Sequence, residues 1–557
     1  MHADPIYTLI IVLLILMIFI DTLMRRRRVA GIISLITSSS ILILTIYNLL
    51  HHEFSDIIIA KGILLNSGLG FRFLTSNIIF FSLLTLLFIL SRLRDPESSG
   101  FRLLTPSFVF IALSIISKTL LQNITLLSTG IFLSILYIIF EKSEDKGAIR
   151  RALLILGGSV VLILIGAGIS LHYCPDLTIS GFYLEGGFAS FIATLFITIA
   201  CLTLMGVPFW RNWLPTTRDT SGPLSTLIET MLFIVGASIL ISIGRAMERT
   251  SYIIIVASMI GTLPGAILVL REEKKNIITT MRGTLGAIAG VGVGLGYSAT
   301  IRGAEIIVIT GAVALLLMHI FFHCKGRSAK VMLVLSAIPL SLVVPIGAFR
   351  GLSMIYYGIR LSNTVLTTIT YIILTLTQII LILGIFRLFT FKQTDGEEKS
   401  TVSSVLAVFV IPLVYLISIF TRYISSGYFY GGHIYIYPTS EFIPIFNLSG
   451  HLLIPLIGAV AGIILVIVSV RDIKSLRDGE HFITRAPFVS PLLSMREAEY
   501  FDLYNIVYSV IRVMAFVFMD LLNYLILIIE KPFIYFIYVL TSIFKSILPK
   551  YKNSQDE

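Results

Sequence analysis

The chain has 557 residues, 56% of them hydrophobic and 13% charged, with a mean hydropathy of +0.95 and a formal net charge of +11. So few charges exclude a soluble protein of this size, and apolar runs of 18 or more residues recur along nearly the whole length, as expected for a polytopic α-helical membrane protein. The alternation over about ten residues that marks a membrane β-barrel is missing, and the basic excess is what loops on one membrane face produce, so no nucleic-acid partner is expected.

In chain order, hydropathy predicts spans at residues 6–24, 29–50, 74–93, 103–121, 123–141, 152–171, 188–208, 224–244, 251–270, 277–299, 303–323, 331–349, 362–388, 403–422 and 449–470. The first is followed by "RRRR" (Arg25 to Arg28), a stop-transfer flank and not a cleavage site. Loops then alternate between basic ones, such as "EKSEDKGAIRR" and "HCKGRSAK", and polar, Tyr- and Gly-rich ones, such as "HYCPDLTISGFYLEGG". The positive-inside rule places the N-terminus outside, and the inside is the cytoplasm if the host is prokaryotic. After residue 470 comes a polar stretch and then "EYFDLYNIVYSVIRVMAFVFMDLLNYLILIIEKP", where Asp502, Asn505, Ser509, Arg512, Asp520, Asn523 and Glu530 form one polar stripe on an apolar helix. That helix either lies along the bilayer or neighbouring helices, or crosses at a tilt with a polar seam.

Two spans are interrupted. Gly206 and Pro208 break the seventh near its inside end, before "WRNWLPTTRDTSGP"; Pro345 and Gly347 break the twelfth within "IPLSLVVPIGAFRGLSMIYYG". Five spans separate them, so the two segments enter from opposite sides. Paired Gly/Pro-broken helices in corresponding places of two inverted halves point to a transporter-type fold, and freed backbone carbonyls there can line an ion path. The competing reading is that both are simple kinks. The expected division is 1–102 for three N-terminal helices, 103–270 and 271–400 for two repeat-like halves, 401–470 for helices 14 and 15, and 471–557 for a C-terminal extension.

These segments carry a resemblance. "PFWRNWLPTTRDTSGPLSTLIE" after span 7 is similar to a family pattern PxxxWLPxAxxxAPTPVSALxH, and "EEKKNIITTMRGTLGA" (Glu272 to Ala287) to DxKRxLAYSTxSQLGY between spans 9 and 10. Gly326 ends span 11 and "VVPIGAF" breaks span 12 as in that family. The ordered set, over roughly residues 70–390, resembles the antiporter-like subunits of respiratory complex I, of energy-converting membrane hydrogenases and of multi-subunit cation/proton antiporters; the C-terminal helix is similar to the lateral helix of the most distal member. The resemblance implies an all-α polytopic fold of about 15–16 transmembrane helices, with inverted repeats, discontinuous helices 7 and 12 and a C-terminal amphipathic or lateral helix. It also implies a membrane-arm subunit of a redox-driven proton- or ion-translocating complex, in the lipid bilayer beside other membrane-arm subunits, with no redox centre, cofactor or catalytic site of its own.

The departures from the family are specific. Its buried proton carriers map here onto Phe132 in span 5, Leu204 beside Thr203 in span 7, Thr310, Ala314 and Met318 in span 11, and Leu352 or Ser353 in span 12. A divergent member with a weakened or lost proton path and a largely structural role is therefore expected; a stand-alone secondary transporter on the same scaffold is the alternative. The intramembrane ionisable residues that remain are Glu229, Lys118, Arg282, Glu305, His319 and His323, and such groups are candidates by default. Lys118, Glu305 and His323 sit near span ends, where snorkelling is the ordinary explanation. Arg282 does not cycle its proton and is expected to be a structural partner, of Glu229 in particular. Glu229 itself is either a proton-linked group or half of a static ion pair. "GAIAGVGVGLG" (Gly286 to Gly296) lies in a span and reads as close helix packing through small residues, not as a nucleotide loop. Cys174, Cys201 and Cys324 have no metal or disulfide spacing, and no metal ligand set is expected.

Overall fold

The computed structural model describes residues 5–24, 26–51, 56–60, 69–72, 75–94, 97–117, 119–141, 146–173, 187–207, 223–247, 251–271, 274–322, 333, 335–340, 342, 347–362, 365–390, 455–464 and 466. The chain divides into two compact units, Met1–Lys474 and Ser475–Glu557. All described residues belong to the first. The span expected at 403–422 and the striped C-terminal helix lie outside them, as do Pro208, Pro345, Lys118 and His323.

Helices α1 (Pro5–Leu23), α2 (Arg27–His51), α3 (Thr75–Arg94), α4 (Phe101–Ile115), α5 (Leu120–Glu141), α6 (Lys146–Tyr173) and α7 (Phe188–Leu204) correspond one to one with the first seven expected spans. They are followed by α8 (Pro223–Met247), α9 (Tyr252–Arg271), α10 (Lys274–Leu295) and α11 (Ser298–Phe322). After a short 3-10 turn at Ile338–Leu340 come α12 (Ala348–Ser362) and α13 (Val365–Thr390). A further helix, α14, occupies residues 455–464. The protein is an all-α polytopic membrane protein. Among the described residues, seven helices are long and apolar enough to cross a bilayer, and five further segments of 10–17 residues are apolar.

Two features depart from the expected pattern. Between α2 and α3, strands β1 (Asp56–Ala60) and β2 (Leu69–Arg72) pair antiparallel, Asp56 opposite Arg72 and Ile58 opposite Gly70. The run "IIIA" is too short to span and is rich in a β-branched residue, which suits a strand. The twelfth span, expected at 331–349, also runs further, because its second half is α12. Arg350 inside that half depressed the hydropathy and hid the continuation.

The core is built around α8 and α10. Helix α8 packs against α3, α4, α7, α10 and α11, and α10 against α9, α11 and α12 as well. The spans of these two are 94% and 100% buried, whereas those of α1 and α2 are 33% and 39% buried. Small residues make this density possible: a Cβ on Gly294 of α10 would lie 2.8 Å from the Ile255 backbone nitrogen of α9. The glycine-rich run is a packing surface for α9, α11 and α12, in keeping with its reading as a close-approach helix.

Candidate functional site

Helix α7 stops inside the protein by capping itself. Gly206 has φ +67°, the left-handed region that favours glycine. Its N–H donates to the Thr203 carbonyl (3.0 Å) and the Val207 N–H to the Leu202 carbonyl (3.0 Å). These are the two bonds of a Schellman motif, and Leu202 and Val207, both wholly buried, are its usual hydrophobic pair. The break in span 12 is closed differently. Gly347 has φ +58°, and a Cβ there would lie 2.6 Å from the Pro339 carbonyl. Leu342 has φ +53°, and its carbonyl accepts from Gln378 Nε2 of α13 at 2.8 Å; the same amide donates to the Pro455 carbonyl of α14, also at 2.8 Å. A neighbouring side chain thus takes up the carbonyl that the interrupted helix cannot satisfy.

Glu229 lies in the second turn of α8. Thr279 and Arg282 lie three residues apart on α10, hence on one face. The Arg282 guanidinium donates through Nη2 to Glu229 Oε2 and through Nη1 to Thr230 Oγ1 (3.0 Å); Thr279 Oγ1 donates to the same Glu229 oxygen at 3.2 Å. Both charged residues are buried, Glu229 at 6% exposure and Arg282 at 4%. The arrangement is a neutral unit of two opposite charges with hydroxyls on either side.

The positions onto which the resemblance maps proton carriers are among the described residues. Leu204, Ala314, Met318 and Leu352 are wholly buried, Thr310 and Ser353 nearly so. Phe132 is exposed on α5, on the outer face of the helix. Glu305 is buried in α11 at 5% exposure, which corrects the expectation that it snorkels: it lies two turns into a helix that starts at Ser298, earlier than the sequence pattern indicated. His319 belongs to the last turn of α11, and its side chain is outside the described residues. No group of three or more metal-ligating side chains occurs among the described residues.

Sequence reasoning missed a second buried charge cluster. Asp21 of α1 accepts from Arg92 of α3 (2.6 Å), Thr105 of α4 (2.6 Å) and Ser34 of α2 (3.1 Å). All four are at most 4% exposed, and the Arg92 guanidinium stacks 4.1 Å over the Phe101 ring. Asp21 and Arg92 each stand in the last turn of a span, next to basic loop residues, so by sequence they look interfacial. The signal that was there is Asp21 inside "IFIDTLM", a carboxylate before the apolar run has ended.

No protein-family model and no curated protein sequence matches this chain. Its fold, however, is similar to solved membrane complexes. A chain of the Mrp complex from Dietzia sp. DQ12-45-1b superposes with a TM-score of 0.71 at 13% identity, over 91% of this chain and 60% of that one. This chain thus spans about 60% of the length of that relative, less than two thirds. A chain of the membrane-bound sulfane sulfur reductase, an archaeal respiratory membrane complex, matches at TM-score 0.69 and 13% identity, over 92% of this chain and 96% of that one. A chain of respiratory complex I from Thermus thermophilus matches at TM-score 0.61 and 13% identity, over 81% and 99%. The resemblance carried by the motifs around spans 7 to 12 therefore holds at the level of fold: this chain shares its fold with chains of these three membrane complexes.

Proposed function

We propose that the chain is an antiporter-like membrane-arm subunit of a redox-driven, ion-translocating complex, resident in a prokaryotic cytoplasmic membrane with its N-terminus outside, and that its own proton path is weakened or lost. In this reading residues 103–270 and 271–400 are the two inverted halves, neighbouring membrane-arm subunits are its partners, and its role is largely architectural. One observation carries the reading: the interior positions onto which relatives' ionisable residues map hold Leu204, Thr310, Ala314, Met318 and Leu352 or Ser353, all buried and none of them ionisable near neutral pH. The Glu229 carboxylate that remains on the central helices is held by Arg282 and Thr279. A proton wire needs groups that change charge or relay hydrogen bonds in sequence, and the Leu204, Ala314 and Met318 side chains do neither.

The test is Glu229→Gln in the assembled complex, reconstituted into vesicles with the electron donor supplied. Glutamine keeps an acceptor for Arg282 and Thr279 but takes up no proton. Ion pumping per electron is expected to stay within about twofold of the parent. A drop of tenfold or more, with the complex intact by gel filtration, overturns the reading and assigns Glu229 to the ion path.

A further inference from the structure

At the turn between α1 and α2, the side chains of Arg26, Arg27 and Arg28 are exposed, as is Arg102 in the first turn of α4. Among the described residues, the ion pair of this rim is Arg28 Nε with Glu97 Oε1 at 3.5 Å, both side chains largely in solvent. Such a pair in high dielectric neutralises little, and among the described residues of these turns Glu97 stands against Arg26, Arg27, Arg28 and Arg102. The rim is not a loose loop. Asp21 in the last turn of α1 binds Ser34 of α2, Arg92 in the last turn of α3 and Thr105 of α4, so four helix ends are tied together directly beneath it. Arg102 is one helical turn from Thr105, on the end so fixed.

Immediately below the guanidiniums the surface turns apolar. Phe19 and Leu23 of α1 are 55% and 72% exposed, and Ile32 of α2 is 52% exposed; further exposed side chains, Val12, Leu16, Ile36 and Ile43, continue down both helices. We propose that this rim binds the phosphate headgroup of an anionic phospholipid whose acyl chains lie on the outer faces of α1 and α2. A diester phosphate accepts from guanidinium forks, and cations at the level of the headgroups attract anionic lipid. A protein partner would match the charge, but the continuous passage from cationic rim to exposed apolar helix faces matches an amphiphile with one charged end. The inference is independent of whether the chain conducts ions.

The test uses the full-length chain in detergent, titrated with dioleoylphosphatidylglycerol or dioleoylphosphatidylcholine and read by native mass spectrometry. The phosphatidylglycerol adduct is retained preferentially, and the preference shrinks as salt rises. R26Q/R27Q/R28Q lowers the preference on the order of a hundredfold, from about 1 kcal/mol per lost charge. Removing those arginines also alters the topogenic signal, so two further variants separate binding from insertion. R26K/R27K/R28K keeps the charge and so most of the preference, weakened only by loss of the forked hydrogen bonds, and R102Q, away from the stop-transfer turn, lowers it about fivefold. Equal retention of both lipids by the parent chain, or an unchanged preference in R102Q and in the triple glutamine variant, overturns the proposal. So does R102Q releasing a co-purifying subunit with lipid preference unaltered, which assigns the rim to a protein.

Discussion

The two buried ion pairs obey the same electrostatics and differ in their surroundings. Breaking either by removing one partner leaves a charge without compensation, at about 3–5 kcal/mol, whereas replacing both members by apolar residues of similar volume is close to neutral. Arg282→Met alone should therefore lower the thermal midpoint of the detergent-solubilised protein sharply, and Glu229→Leu/Arg282→Met should recover most of the loss. The corresponding Asp21→Leu/Arg92→Met variant should recover less. There, the Ser34 and Thr105 hydroxyls both lose the acceptor they share, Thr105 at the short distance of 2.6 Å, while at the central pair Thr279 loses a longer bond of 3.2 Å and Thr230 loses a donor, not an acceptor. Intrinsic fluorescence during heating reads the order of the three variants. The reach of sequence reasoning differs between the pairs in the same way. Glu229 and Arg282 sit inside long apolar runs, where a charge demands a counter-charge, and few candidates existed. Asp21 and Arg92 sit where a run meets basic flanks, and there an exposed end and a buried pair look alike until the helices are assembled.

Most helices were legible because the bilayer forces the backbone to bond within the segment and the side chains to be apolar, which writes each span as a run of fixed length. What was not legible is what hydropathy does not encode. The β1–β2 hairpin depends on pairing between two short segments, and the second half of span 12 carries Arg350 within it. The glycines of the two breaks were readable as breakers, but not the contrast in how the breaks are closed. Helix α7 ends by bonds within itself, whereas the span 12 break depends on Gln378 from another helix. Gly206→Ala should cost about 1–2 kcal/mol, the penalty of a left-handed residue with a Cβ. Gly347→Ala should cost more, because the added carbon also meets the Pro339 carbonyl at 2.6 Å. Thermal midpoints of the two variants in one detergent check the ranking; equal losses would mean that the backbone at Pro339 gives way freely.

At the scale of the whole chain, the first compact unit ends at Lys474, and the second, from Ser475, takes in the residues for which the sequence pattern predicts a polar-striped helix. If the chain serves chiefly to hold a membrane arm together, as proposed, removing the part after about residue 498 should leave the remaining chain inserted while impairing assembly with its neighbours. Blue native electrophoresis of membranes from cells carrying the truncated gene measures this: the full complex should diminish and the free subunit accumulate. An undiminished complex would place the partner contacts in the first unit.

The Asp21 cluster also has a temporal side. The carboxylate is synthesised 13 residues before Ser34, 71 before Arg92 and 84 before Thr105. When the α1–α2 hairpin first enters the bilayer, Asp21 has at most one of its three partners, and its counter-charge has not been translated. The hairpin is then an unfinished product, favoured to wait at the insertion machinery or the headgroup boundary until α3 and α4 arrive. The first four helices become committed to the membrane as one step, and the aspartate that finally joins them acts beforehand as a brake on releasing them one pair at a time.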